Sequence, residues 1–124
     1  MERVYWIKYK EHQVLYSDYS HLSAEELVVT AEKADVEQFP KHRHLSPGSL
    51  LSLVDVTDSL ASKEAIATLK ISAKLWQPLY KKQAVIGLST MQRLFLNAVN
   101  KFSGGHSKPF DTREEALEWL IRAD

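Results

Sequence analysis

Leu50-Leu51-Ser52-Leu53-Val54-Asp55-Val56 is the stretch on which the reading of the fold turns. It is apolar at nearly every position and lacks the alternation of a strand wetted on one face, so it predicts a strand covered on both faces at the centre of a parallel sheet. A parallel neighbour requires a crossover, and a helical pattern lies on each side. Upstream, Ser23-Ala24-Glu25-Glu26 is a capping box that opens a helix with Leu27, Val28, Ala31 and Ala34 at helical spacing. Phe39-Pro40 ends it, and Lys41 to Ser49 reads as a loop. Downstream, Ser62-Lys63-Glu64-Ala65 opens a second helix with Ile66, Leu69, Ala73 and Trp76 on one stripe, closed by Gln77-Pro78.

The same alternation continues to both ends. Val4 to Tyr9 and Val14 to Tyr19 are aromatic and β-branched, and Lys10-Glu11-His12-Gln13 between them predicts an antiparallel hairpin. Gln83 to Leu88 is a further buried strand. Ser89 caps a third helix in which Met91, Leu94, Phe95, Ala98, Val99 and Phe102 form the expected inward stripe, ending at Gly104-Gly105. His106 to Phe110 predicts a last strand, followed by a helix from Asp111-Thr112 with Ala116, Leu117, Leu120 and Ile121 inward. The result is an α/β chain: a five-stranded, mostly parallel sheet with an antiparallel first strand and four helices, its crossovers right-handed.

Composition bounds the function. The 124 residues are about one domain's worth, so 1–124 is expected to be one unit, and 44% hydrophobic content is ordinary for a globular core. With no cysteine there is no disulfide framework and no thiolate ligand or nucleophile. Sixteen basic residues balance sixteen acidic ones, which argues against nucleic acid or an anionic membrane as partner. No apolar run reaches the length of a spanning helix, and Met1-Glu2-Arg3-Val4-Tyr5-Trp6 does not read as a signal peptide, so the expectation is a cytoplasmic protein.

Asn97-Ala98-Val99-Asn100-Lys101-Phe102-Ser103-Gly104 and Phe110-Asp111-Thr112-Arg113-Glu114-Glu115-Ala116-Leu117-Glu118-Trp119-Leu120 resemble the SpoIIAA-like group of STAS-type bacterial domains, as do Leu53 to Thr57 and Ala84 to Ser89. The resemblance spans nearly the whole chain. It implies the βα superhelix shared by anti-sigma-factor antagonists and lipid-transfer domains, and for this branch it implies no general activity. In the antagonists a serine at the start of the helix after the central strand is phosphorylated, and Ser62 falls there. The chain departs from their Asp-Ser-Gly-Leu pattern, having Ala61-Ser62-Lys63-Glu64, with Asp58-Ser59 a few residues early.

In parallel sheets ligands sit beyond the carboxyl ends of the strands, which singles out Asp55, Thr57, Asp58, Ser62 and Ser89 as candidate ligand-binding residues. Helix amino termini on that rim favour anions, yet Ser62 and Ser89 are equally the residues an ordinary helix uses as caps. A receiver-like phosphoryl-transfer site would need Asp18, Asp55, Ser89 and Lys108 at successive strand ends, but a second adjacent acid at the first position is missing. His42 and His44 in Lys41-His42-Arg43-His44 have no third partner at ligand spacing, so no metal or other cofactor is implied and that segment reads as a solvated basic loop. Without an activated nucleophile or a phosphate-binding loop, the chain reads as a non-catalytic binding or regulatory module acting through protein contacts.

Apolar surface is the remaining signal. If the crossover helices lie mostly on one sheet face, then Tyr5, Trp6, Tyr9 and Tyr16 of the hairpin, with Leu96 on the polar side of the third helix, need cover. A homodimer, another protein or a hydrophobic, lipid-like small molecule would each supply it.

Overall fold

The computed structural model describes residues 2–123. The strands are β1 Val4–Tyr9, β2 His12–Asp18, β3 Leu50–Asp55, β4 Tyr80–Ile86 and β5 Lys108–Phe110, and they lie side by side in sequence order. β1 is antiparallel to β2, and every later pair is parallel. Four helices match the expected ones: α1 Ala24–Glu37, α3 Lys63–Trp76, α4 Thr90–Ser103 and α5 Arg113–Ile121. A fifth, α2, is a single turn, Phe39–His42, which starts at the Phe39-Pro40 break and runs into the segment expected to be loop. Pro40 falls in its first turn, where its missing N–H costs nothing, so the proline that ends α1 also starts α2.

Local chemistry explains the boundaries. Ser23 and Ser89 each accept from the backbone three residues on while Glu26 and Gln92 reach back, two complete capping boxes. Gly104 closes α4 at φ 75°, a left-handed conformation that costs glycine little. The hairpin turn is tighter than expected: Tyr9 pairs with His12, leaving only Lys10 and Glu11, at φ 44° and 71°, to make a two-residue primed turn. β4 begins three residues before the expected Gln83, because Tyr80 already pairs with Leu50 across an irregular register.

Period-two alternation divides the sheet into two faces. On one, Leu15, Leu50 and Val85 meet Leu27, Ala31 and Ala34 of α1 and Ala65 and Trp76 of α3, with Leu96 of α4 packed against them. On the other, Val14, Leu51, Leu53, Ala84 and Ile86 meet Ala116, Leu117 and Leu120 of α5. The second face is therefore not left bare, as the sequence suggested; one short helix covers its centre. Tyr9 Oη donates to Glu118 Oε2 of α5 at 2.5 Å, Lys10 Nζ reaches the same oxygen at 2.8 Å, and the Arg113 guanidinium lies 4.9 Å from the Tyr16 ring.

Two further expectations change. His42 is not in a solvated loop: it is buried between Trp6 and Trp76, at ring separations of 5.5 and 5.9 Å, with its Nδ1–H donating to the Gln38 carbonyl at 2.8 Å. α4 is also turned somewhat from the expected face: Phe95, Ala98 and Val99 of the expected stripe do lie inward, but Met91, Leu94 and Phe102 are exposed and Leu96, expected on the polar side, packs against the core. Among the described residues, no helix is long and apolar enough to cross a membrane.

Candidate functional site

The carboxyl rim of the sheet holds the residues singled out from sequence, and their hydrogen-bonding capacity is largely engaged within the chain. Asp55 Oδ1 accepts from Thr57 N at 2.9 Å and Thr57 Oγ1 at 2.6 Å, while Oδ2 accepts from the Tyr16 hydroxyl at 3.0 Å. This is an Asx turn joined to a buried phenol. Gly87, at φ 88°, sits so close that a Cβ there would lie 2.4 Å from Thr57 N, so the turns after β3 and β4 fill the space between them. Asp58 is exposed at φ 56° and pairs with His21 across 3.4 Å. Ser62 caps α3 by accepting from Ala65 N at 3.0 Å, and Ser89 caps α4. These are the capping roles that had stood beside the ligand-binding reading.

The residues of the receiver-like alternative are likewise engaged separately. Asp18 Oδ1 accepts from Ser20 N and Oγ at 3.1 and 2.5 Å, near Arg3 at 3.7 Å. Burial raises its pKa, but the Ser20 hydrogen bonds and Arg3 outweigh that and leave the carboxyl below its usual range. Lys108 instead stands over the Phe110 and Trp119 rings at 5.5 and 5.7 Å. Among the described residues, no three histidines or carboxylates gather as metal ligands.

Of the hairpin candidates, Tyr16 is buried and its ring lies 5.4 Å from that of Tyr5, and Tyr9 is held by α5. Tyr5 and Trp6 stay 44% and 43% exposed on the edge strand. Leu96 faces into the molecule.

What Leu96 faces is a partly open cavity of about 140 Å³ between the sheet and helices α1, α3 and α4, with the exposed Leu60 among its lining. Its walls are mainly aliphatic and aromatic, with Val54 and Val85 from the sheet, Leu27 from α1, Leu69 from α3, and Phe95 and Val99 from α4. A polar stripe crosses the sheet side. Ser107 Oγ donates to Gln83 Oε1 at 2.6 Å, and Gln83 Nε2 donates to Ser52 Oγ at 3.1 Å. The registers explain the line: Ser52 and Gln83 are direct partners across β3 and β4. Tyr80 joins the stripe; burial raises its pKa, and hydrogen bonds with Ser52 and Gln83 only partly oppose the rise. Tyr19, also on the cavity wall, is raised chiefly by burial, so both phenols are held neutral. On the α3 side, Ser72 Oγ and Trp76 Nε1 donate to Asp35 Oδ1 at 2.7 and 3.0 Å. Sequence reasoning did not assemble this cavity, although Ser52 was its one signal: a hydroxyl interrupting the most apolar run in the chain.

A five-stranded sheet in sequence order, antiparallel only at its first strand, with helices on both faces, is the SpoIIAA-like fold. The crystal structure of an uncharacterized protein from the DUF3478 family with a SpoIIAA-like fold, from Shewanella loihica PV-4, superposes on the chain with a TM-score of 0.71. The alignment covers 95% of this chain and 92% of that one at 21% identity, a likeness of fold. No family model and no curated protein matches the sequence.

Proposed function

We propose that the chain is a non-catalytic binding module whose cavity takes a small hydrophobic molecule. One observation carries this reading: a cavity of about 140 Å³ with a mainly apolar lining lies between the sheet and α1, α3 and α4. Protein interiors are close-packed, and voids larger than a water are few. An apolar void of about 150 Å³ stays dry and binds benzene or xenon. Filling such a space restores dispersion contacts that its walls otherwise lack.

The test is the melting temperature of the full chain in buffer saturated with toluene. A ligand that binds only the folded state, at about 100 times its dissociation constant, stabilises by about 2.7 kcal/mol, which raises melting by several degrees. Val54→Phe should fill the cavity and abolish the response while keeping the fold. No toluene-dependent rise in the wild type would overturn the reading.

A second reading, contact with protein, is favoured by the half-exposed Tyr5 and Trp6 on β1, whose outer edge has no strand partner among the described residues. Homodimerisation through that edge would cover both rings. It predicts a dimer in sedimentation at micromolar concentration and folded monomers for Tyr5→Glu or Trp6→Glu; a wild-type monomer would contradict it.

A further inference from the structure

Resting on the reading of the cavity as a ligand site, we infer that its ligand is uncharged and carries one hydroxyl on a small hydrocarbon body of the size of a cresol. Two properties of the lining carry this. First, no Asp, Glu, Lys, Arg or His is among the residues that line the cavity. A carboxylate, phosphate or ammonium seated there would give up its hydration with no charge to replace it, which is far costlier than burying a neutral group. Asp35 stands behind the wall, and its Oδ1 already accepts from Ser72 and Trp76.

Second, the wall offers both halves of a hydrogen bond: the Ser72 and Ser107 protons are spent inside the protein, while the neutral Tyr19 and Tyr80 phenols that line the same space bring O–H groups of their own. Ser107 donates to Gln83, Gln83 to Ser52 and Ser72 to Asp35. At the opposite end, Gln92 Nε2 donates to the Ser59 carbonyl at 3.0 Å and the Ser59 hydroxyl donates to the Tyr19 carbonyl. A hydroxyl has one proton and two lone pairs. With the Ser72 and Ser107 protons placed, what these oxygens keep for a ligand is acceptor capacity. A bare hydrocarbon would leave both halves unused, whereas the hydroxyl of a phenol or alcohol donates to a serine oxygen or accepts from a phenol while its body packs against Val54, Leu69 and Phe95.

The experiment is calorimetric titration of the full chain at neutral pH with p-cresol, toluene and p-toluate, which share one ring and one methyl group. The expected order is p-cresol about tenfold tighter than toluene, as one hydrogen bond to a buried acceptor warrants, and p-toluate weaker than p-cresol by about 100-fold or more. Ser72→Ala and Ser107→Ala, each first checked for native melting, should lower the p-cresol to toluene ratio in at least one case while leaving toluene affinity within about twofold. If none of the three binds, the cavity reading itself fails. If toluene binds as tightly as p-cresol, or p-toluate binds as tightly as either, the cavity reading stands and this inference is overturned. A ratio unchanged in both serine variants also overturns it, by removing the wall serine hydroxyls from recognition.

Discussion

Lys10 and Glu11 make the hairpin turn although neither is a residue that favours left-handed backbone, at φ 44° and 71°. Such a conformation costs an L-residue about 1 kcal/mol or more. Lys10 is compensated by its contact with Glu118; Glu11 has only an exposed pair with Lys8 at 3.8 Å. Glu11→Gly is therefore expected to stabilise the fold by about 0.5–1 kcal/mol in chemical denaturation, and a loss of stability would show that the turn is built otherwise. The opposite holds at Gly87, where positive φ and the nearby Thr57 backbone both exclude a side chain. Gly87→Ala should cost about 2 kcal/mol or more, and a neutral result would mean that the two rim turns do not touch. At this scale the sequence was legible where chemistry is local. Caps Ser23, Ser62, Ser89 and Thr112 act where the spacing placed them. The Asp55 contact with Tyr16 was not legible, because it joins groups 39 positions apart.

The elements were read well in kind and order, and less well in orientation. α4 shows why: its apolar residues run almost around the helix, so periodicity alone admits more than one inward face. Tertiary packing chooses the one with Phe95, Leu96 and Val99 against the cavity and leaves Met91 and Leu94 68% and 65% exposed. Leu94→Gln is accordingly expected to change stability by no more than about 0.5 kcal/mol, whereas Leu96→Ala should cost about 2 kcal/mol. Urea midpoints in the reverse order would restore the face expected from the sequence. α2 was missed for a related reason. A segment of four residues has no period to detect, and what holds it is the wedge of His42 between Trp6 and Trp76.

Over the whole molecule the two sheet faces differ in what they are built to do. α5 closes one with aliphatic packing and with Glu118, Arg113 and Trp119 contacts at its margin. The other lies under three helices and keeps both a cavity and a set of neutral polar groups. Tyr19 and Tyr80 on that side and Tyr16 on the other all have pKa values raised mainly by burial. Unfolded phenols ionise near pH 10. A group whose folded pKa is raised contributes stability that is fully present below the unfolded value and is lost as pH climbs toward the folded one. Stability should therefore fall above about pH 10, with the phenolate absorbance of these three tyrosines appearing only as the circular dichroism of the fold collapses. Ionisation of all five tyrosines near pH 10 with the fold intact would contradict their burial.

The fold of such a molecule follows from alternation, which a linear sequence displays, but the cavity arises where three helices fail to fill the space above Ser52, Val54 and Gln83, a property of volumes that no periodicity carries. A crystal of the full chain pressurised with xenon, whose anomalous scattering marks dry apolar space, shows whether the cavity is of this kind. Xenon is expected at a site walled by Val54, Leu69 and Phe95, as in other apolar cavities of about this size. An empty anomalous map at that position, with ordered waters filling the space along the Ser52–Gln83–Ser107 stripe, would contradict it.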